Sequence, residues 1–344
     1  MVKRLLFYLI ILLLSSLTSH CSRGREDEYC KISLSNIEND ELEFSPIQCN
    51  HLASPSRIKF YNEKSVMIGE KRSRVILRLF DIETGICKDS ITRGRGPGEC
   101  LSAWDISVVD DGKIIIFDNL ASKLLVFKPE NDKFFSLVDE IALIGYYTHI
   151  IPFKESGYLA LPYQGGRFVK LSSQGIAEDT LGSFPPIKGA NNAINNISAQ
   201  SLSSFSPEGD YLCSTFLSMN YIDIYSGGAD SLIKRIWGPE RIIPSAKIVN
   251  VAGGYMYSIK PNKRVFSGLC TSDIGFIVGY ERPSMKQQKK VGFNELLFFD
   301  WNGNCYKMIH LPIDIKLFDI DWNHRRLLAI TSEEDPRLVS SVFN

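Results

Sequence analysis

Nine cations sit in or beside the turns of this chain: Arg72, Arg74, Arg93, Arg95, Arg167, Arg282, Lys286, Lys289 and Lys290. Guanidinium groups bind carboxylates and other oxyanions through paired hydrogen bonds. Gathered on one face, they would take an anionic glycan, a peptide carboxylate or an acidic protein partner. Arg74, Arg93, Arg95 and Arg167 are the ligand-binding candidates, and Trp104 and Tyr163 would add flat surfaces on which a sugar can stack. The competing reading is that these are ordinary solvated charges beside Glu99, Glu333, Glu334 and Asp335, and that aromatics such as Tyr280 and Trp322 belong to the core.

Motifs for catalysis are missing. The chain has no G-x-S-x-G elbow, no H-E-x-x-H pair and no phosphate-binding glycine loop. His51, His149, His310 and His324 are far apart in sequence, and each reads as a satisfied or exposed histidine. Cys30, Cys49, Cys87, Cys100, Cys213, Cys270 and Cys305 form no C-x-x-C pair, so neither a metal nor any other cofactor is expected. Cys87 and Cys100 flank a glycine-rich turn and would either close it as a disulfide or remain free thiols. Lysine plus arginine and aspartate plus glutamate both total 39, which excludes the basic excess of a nucleic-acid binder.

The N-terminus carries an address. Lys3 and Arg4 precede the apolar run Leu5 to Leu14, and small residues lead on to Cys21, as in a secretory signal. The run is shorter than the roughly 20 residues a membrane span needs. Residues 1–20 are therefore expected as a signal peptide, Cys21 as a lipidation site and 21–29 as a tether. Thr18 and His20 depart from the usual lipoprotein pattern, which leaves cleavage by an ordinary signal peptidase open. The expected location is the bacterial cell envelope, anchored by lipid alone, or the periplasm if Cys21 is not lipidated.

The elements that must position these side chains are short β-type runs. The segment Arg93-Gly94-Arg95-Gly96-Pro97-Gly98-Glu99 cannot continue a strand, because Pro97 lacks a backbone donor and the glycines favour turn conformations. Beyond it, Asp105 to Val109, Lys113 to Asp118, Lys123 to Phe127 and Phe134 to Leu143 read as a four-stranded meander, with Asp111-Gly112 as a hairpin turn. Comparable units recur at the spacing of roughly 40 to 50 residues associated with propeller blades. They begin near Arg57, Asp105, Thr148, Phe205, Val265 and Ile315.

This predicts an all-β, six-bladed propeller of four-stranded antiparallel blades spanning residues 30–344 as one domain, a monomer. The sixth unit runs out of chain before its fourth strand. The alternating N-terminal segments Cys30 to Leu34 and Glu41 to Phe44 are the candidates to supply it and close the ring. Three stretches interrupt the repeats: Pro185 to Gln200, Gly238 to Lys263 and Glu281 to Lys290.

With the turn at 94–99, the hairpin Ile115 to Phe127, the lead-in Phe205-Ser206-Pro207-Glu208-Gly209 and the segment Phe318 to Ile330, the chain resembles the six-bladed β-propeller lipoproteins of Bacteroidetes, related in style to NHL and TolB-like propellers. The resemblance implies an exported propeller without an established common reaction, and it carries over no catalytic residue. The expected function is non-catalytic binding or scaffolding of a glycan, peptide or protein. The alternative is a propeller hydrolase or lyase acting on a carbohydrate or peptide.

Overall fold

The computed structural model describes residues 29–343 except 36, 50–51, 110, 132, 154–156, 186–194, 197, 240–244, 252–253, 261–264 and 282–291, with 245–260 described by backbone alone. The expected signal, Cys21, His51, Arg282, Lys286, Lys289 and Lys290 lie outside the described residues.

Three short strands come first: β1 (Tyr29–Lys31), β2 (Glu38–Glu41) and β3 (Ser45–Ile47). Blade 1 is β4 (Pro55–Asn62), β5 (Ser65–Glu70), β6 (Val75–Asp81) and β7 (Cys87–Thr92). Blade 2 is β8 (Asp105–Val108), β9 (Ile114–Asp118), β10 (Lys123–Glu130) and β11 (Lys133–Ala142). Blade 3 is β12 (Tyr147–Pro152), β13 (Gly157–Pro162), β14 (Phe168–Ser172) and β15 (Ala177–Leu181). Blade 4 is β16 (Ser201–Phe205), β17 (Tyr211–Phe216), β18 (Tyr221–Ser226) and β19 (Leu232–Trp237). A separate hairpin follows, β20 (Ser245–Val251) with β21 (Gly254–Lys260). Blade 5 starts with β22 (Phe266–Thr271), β23 (Gly275–Tyr280) and β24 (Phe293–Asp300).

The strand β25 (Cys305–Asp321) serves two blades, pairing with β24 through Cys305 to His310 and with β26 (Arg326–Thr331) through Ile315 to Asp321. Blade 6 continues with β27 (Leu338–Val342) and is completed by β3, which pairs antiparallel with β27. The all-β propeller and its closure by an N-terminal strand are thus present. The pairing of six four-stranded meanders follows from the sheet order.

The closing strand is Ser45–Ile47; the two alternating segments before it do something else. β1 lies parallel to β19 on blade 4, and β2 lies parallel to β25 on blade 5, so each adds a fifth strand to an outer edge. The residues after each strand turn an aliphatic side chain inward. Ile32 is buried with Ile236 and Val278 between blades 4 and 5, Leu42 with Ile309 and Val339 between blades 5 and 6, and Leu52 with Leu328 and Val66 between blades 6 and 1. The N-terminal segment is therefore a strap that wedges three successive seams before the chain enters blade 1.

Two further expectations need correction, and of the two readings left open for Cys87 and Cys100 the free thiols are the ones found. Cys87 begins β7, whereas Cys100 hydrogen-bonds beside Thr92 at the strand's far end, roughly 17 Å away at the usual rise per residue. Blade 4 opens with the serine-rich strand Ser201–Phe205, and Ser206 to Asp210 is the turn after it. Serines are poor strand formers, which hid this strand. Finally, the interruption after blade 4 contains the β20–β21 hairpin, which pairs with no blade among the described residues.

Candidate functional site

The first strand of every blade lines a central channel of about 1310 Å³. Strand alternation sets what faces it. In β4, Ile58 and Phe60 pack into the seam with blade 6, so Arg57 and Lys59 take the channel side. The six inner strands all start at one end, here called the upper face. The described blade-to-blade links and the turns between second and third strands emerge there too.

Four side chains meet at the upper mouth: Arg57, Lys71, Trp104 and Lys316. The Arg57 guanidinium carbon lies 4.8 Å from the Trp104 ring centroid and Lys71 Nζ 5.8 Å from it. The indole is pinned, because Nε1 donates to the Thr148 carbonyl at 2.6 Å across the seam to blade 3. Arg57 is pinned as well: Nε donates to the Trp104 carbonyl, and Nη1 donates to the Ser56 carbonyl at 2.7 Å. Lys316 is exposed and donates to the Pro55 carbonyl at 3.0 Å, with no carboxylate among the described residues within ion-pairing distance. At the opposite, lower mouth stand Glu208 and Asp210, so the channel carries cations above and carboxylates below.

The glycine-rich turn holds this mouth in place. Glu99 folds back into it, accepting from the Gly96 N–H at 2.9 Å and the Thr92 hydroxyl at 3.0 Å. A Cβ at Gly94 would lie 1.9 Å from Glu99 Oε2, so only glycine allows the carboxylate to seat there. The Gly96 N–H above all, then Thr92, hold the Glu99 carboxyl below its usual range. Arg93 spends its guanidinium on three backbone carbonyls, those of Ser73 (3.2 Å), Leu101 (2.5 Å) and Lys71 (2.6 Å). It thereby ties the blade 1 turn bearing Lys71 to the link between blades 1 and 2.

Two carboxylates clamp neighbouring inner strands. Asp319 accepts from the Phe60 N–H at 2.8 Å and from Lys59 Nζ at 3.1 Å, joining blade 6 to blade 1. Asp105 accepts from the Ile150 N–H at 3.0 Å and contacts His149 Nδ1 at 2.9 Å, joining blade 2 to blade 3. Burial pushes the Asp105 carboxyl up, but the charge and hydrogen bond of His149, with help from Arg57, outweigh it and hold the group below the ordinary range. Lysine uses its one nitrogen in the first clamp. Histidine keeps a second, Nε2, that no group among the described residues engages, on a side chain that lines the channel.

The residues singled out from the sequence divide accordingly. Trp104 is at the mouth. Arg74 and Arg95 are exposed on the upper face, Arg74 near enough to influence Glu99, and Tyr163 is exposed on the upper turn of blade 3. Arg93 is exposed at its edges but engaged by backbone. Arg167 is not on a rim at all: it is 3% exposed, inside the seam between blades 3 and 4. Tyr280 is core, and Trp322 packs edge-on against Phe343. Lys71, in the turn after β5, belongs to a segment the sequence already assigned to this face, whereas Arg57, Lys316 and the Asp105–His149 pair were not identified from the sequence. The signal of these last is a charged or polar residue at alternate positions of each blade's first strand.

A family model described as TolB-like 6-blade propeller-like matches residues 47–323. No curated protein matches the chain. Among solved structures, one described as exported from Bacteroides fragilis NCTC 9343 is 14% identical, with a TM-score of 0.55 over 91% of this chain and 98% of that one. A DUF4221-family member from Bacteroides vulgatus is 10% identical, with a TM-score of 0.54 over 90% and 98%. Virginiamycin B lyase from Staphylococcus aureus is 12% identical, with a TM-score of 0.51 over 88% and 99%. At these identities the likeness is one of fold.

Proposed function

Because the chain belongs to the TolB-like six-bladed propeller family, we propose that it is an exported binding module that receives an anionic ligand, a carboxylate-bearing glycan or peptide, at the upper mouth of its channel. The observation that carries this reading is the group Arg57, Lys71 and Lys316 around the pinned face of Trp104. Cations beside an immobilised aromatic offer charge and a stacking surface together, already ordered before the ligand arrives.

The test is titration of acidic glycans and acidic peptides into the natural protein and an Arg57→Ala/Lys316→Ala variant. Each charge-assisted hydrogen bond contributes about 1.5–3 kcal/mol, so a loss of affinity of at least about tenfold is expected. Equal affinity in both proteins would sink the proposal.

Export rests on the charged, apolar and small-residue order of residues 3–20, and lipid anchoring on Cys21. It is in keeping with a fold neighbour described as exported. Intact mass should show an acyl-bearing N-terminal cysteine that Cys21→Ala lacks.

A second reading, a propeller hydrolase or lyase, is favoured by one feature. Asp105 orients His149 while Nε2 is left to the channel, the arrangement a general base requires. His149→Gln should then abolish turnover of a bound acidic glycan without weakening its binding. A ligand that binds the natural protein and is recovered unchanged leaves the non-catalytic module standing.

A further inference from the structure

Two thiols come together where the closing strand of blade 6 hands over to blade 1. Cys49 follows β3 and packs, half-buried, against the side chains that fill this seam, Phe80 and Ile82 of blade 1 among them. Cys87 opens β7, the outer strand of blade 1, and is exposed. A bulge sets its direction. Leu79 pairs with Asp89 and Phe80 with Cys87, so two neighbours on β6 face partners with an extra residue between them. Leu79 packs towards blade 2 and Phe80 towards blade 6, and residues paired across a sheet share a face. Cys87 is therefore turned towards blade 6, while Asp89 is turned towards blade 2, where it accepts from the Phe134 and Phe135 N–H groups.

The backbone brings the strap to the same spot. Asp81 Oδ1 braces the turn between β6 and β7, accepting from the Glu83 and Thr84 N–H groups at 3.2 and 2.9 Å. Gly85, at φ 68°, presses this turn onto the strap: a Cβ there would lie 1.6 Å from the Gln48 carbonyl oxygen and 3.6 Å from Cys49 N. Cys49 comes next after Gln48, and Cys87 is two residues beyond Gly85. The electrostatics agree with this approach. Burial above all, then the charge of a Cys87 thiolate, push the Cys49 thiol up to about 12, while Arg78 acts on both cysteines in the opposite sense. Cys100, Cys213 and Cys270, by contrast, are buried in the blades.

We propose that Cys49 and Cys87 form a disulfide that clasps the strap to the outer edge of blade 1. Both are free thiols in this structure, and joining them takes a two-electron oxidant. Its class is a donor disulfide, small or protein-borne, of the oxidising cell envelope to which export delivers a chain. The exposed Cys87, as thiolate, attacks the donor and releases one of its sulfurs as a thiol. Cys49 then gives up its proton and attacks the Cys87 sulfur, releasing the second. Two cysteine thiols are oxidised, the donor disulfide is reduced to two thiols, and both protons end on the donor. The bond closes a loop that holds β4, β5 and β6, and it is independent of what binds in the channel.

The purified protein is equilibrated with oxidised or reduced glutathione, alkylated under denaturing conditions and cut with trypsin. Peptides 32–57 and 79–88, which carry Cys49 and Cys87 respectively, should run as one linked species from the oxidised sample and separately after reduction. In oxidant the natural protein should melt roughly 5 °C above Cys87→Ser, the shift expected for a loop of this length in a chain of this size. In reductant the two should melt alike, because Cys87 is exposed. The oxidant is supplied in the tube, so the outcome does not rest on whether the chain is exported. Both cysteines alkylated in the oxidised protein, either one linked to a different partner, or equal melts in oxidant would overturn the proposal.

Discussion

At the scale of single residues, burial and partners decide what a charge does, and sequence does not display either. Arg93, Arg95 and Arg167 look alike in sequence, yet one is engaged by three carbonyls, one is exposed and one is enclosed. Glu99 shows the converse: the Gly94 and Gly96 positions were legible as a turn, but the carboxylate they accommodate was not. The Asp105 clamp has a pH signature. Its folded carboxyl titrates below the unfolded value of about 3.9, so its ionised form stabilises the fold above that pH and the contribution fades as pH falls through the folded value. Asp105→Asn is expected to lower stability near neutrality and to flatten the dependence of Tm on pH in the acid range. An unchanged acid slope would show that the clamp is not what titrates.

Among elements, the strap and the blade edges belong to one problem, since an open edge strand invites pairing with another chain. β1 and β2 cover the outer strands of blades 4 and 5, and β3 is the outer strand of blade 6. The uncovered edges of blades 1, 2 and 3 carry acids instead: Asp89, Asp139 with Glu140, and Glu178 with Asp179. Lys307 reinforces the cover, lying 3.3 Å from Glu38 and 3.1 Å from Asp40 on β2. The alternation of residues 30–34 and 41–44 was legible as strand-like, but parallel pairing to a fifth position was not, because it depends on edges assembled about 200 to 270 residues later. Ile32 is core despite its place near the terminus. Ile32→Ala should cost about 2–4 kcal/mol in urea unfolding, whereas a mere tether residue would give a change within about 0.5 kcal/mol.

For the whole molecule, the ring was readable because turn chemistry and β-type runs repeat at blade length. The channel was not, because its lining takes three or four residues from each of six strands far apart in the chain. The upper face collects the mouth cations and the exposed Leu120, Ile144, Tyr146 and Tyr163, while the lower mouth is acidic. Screening follows from this polarity: binding of an acidic peptide at the upper mouth should slow in association as ionic strength rises, with dissociation less affected. Stopped-flow traces at low and high salt distinguish this from a neutral site, whose association rate would not move.

The strap also sets a timetable. Ile32, Leu42 and Leu52 precede the blades in the chain, yet the seams they fill need blades 4, 5 and 6, the last to be synthesised. The ring cannot close until the final strand has been made, so the earliest segment waits and docks late, after long-range contacts with high loop-closure cost have formed. Leu52→Ala should accordingly speed unfolding while leaving the refolding rate nearly unchanged, the mark of contacts absent from the transition state. A protein assembled on this schedule stays open for the whole of its synthesis, a fitting property for a chain proposed to be exported.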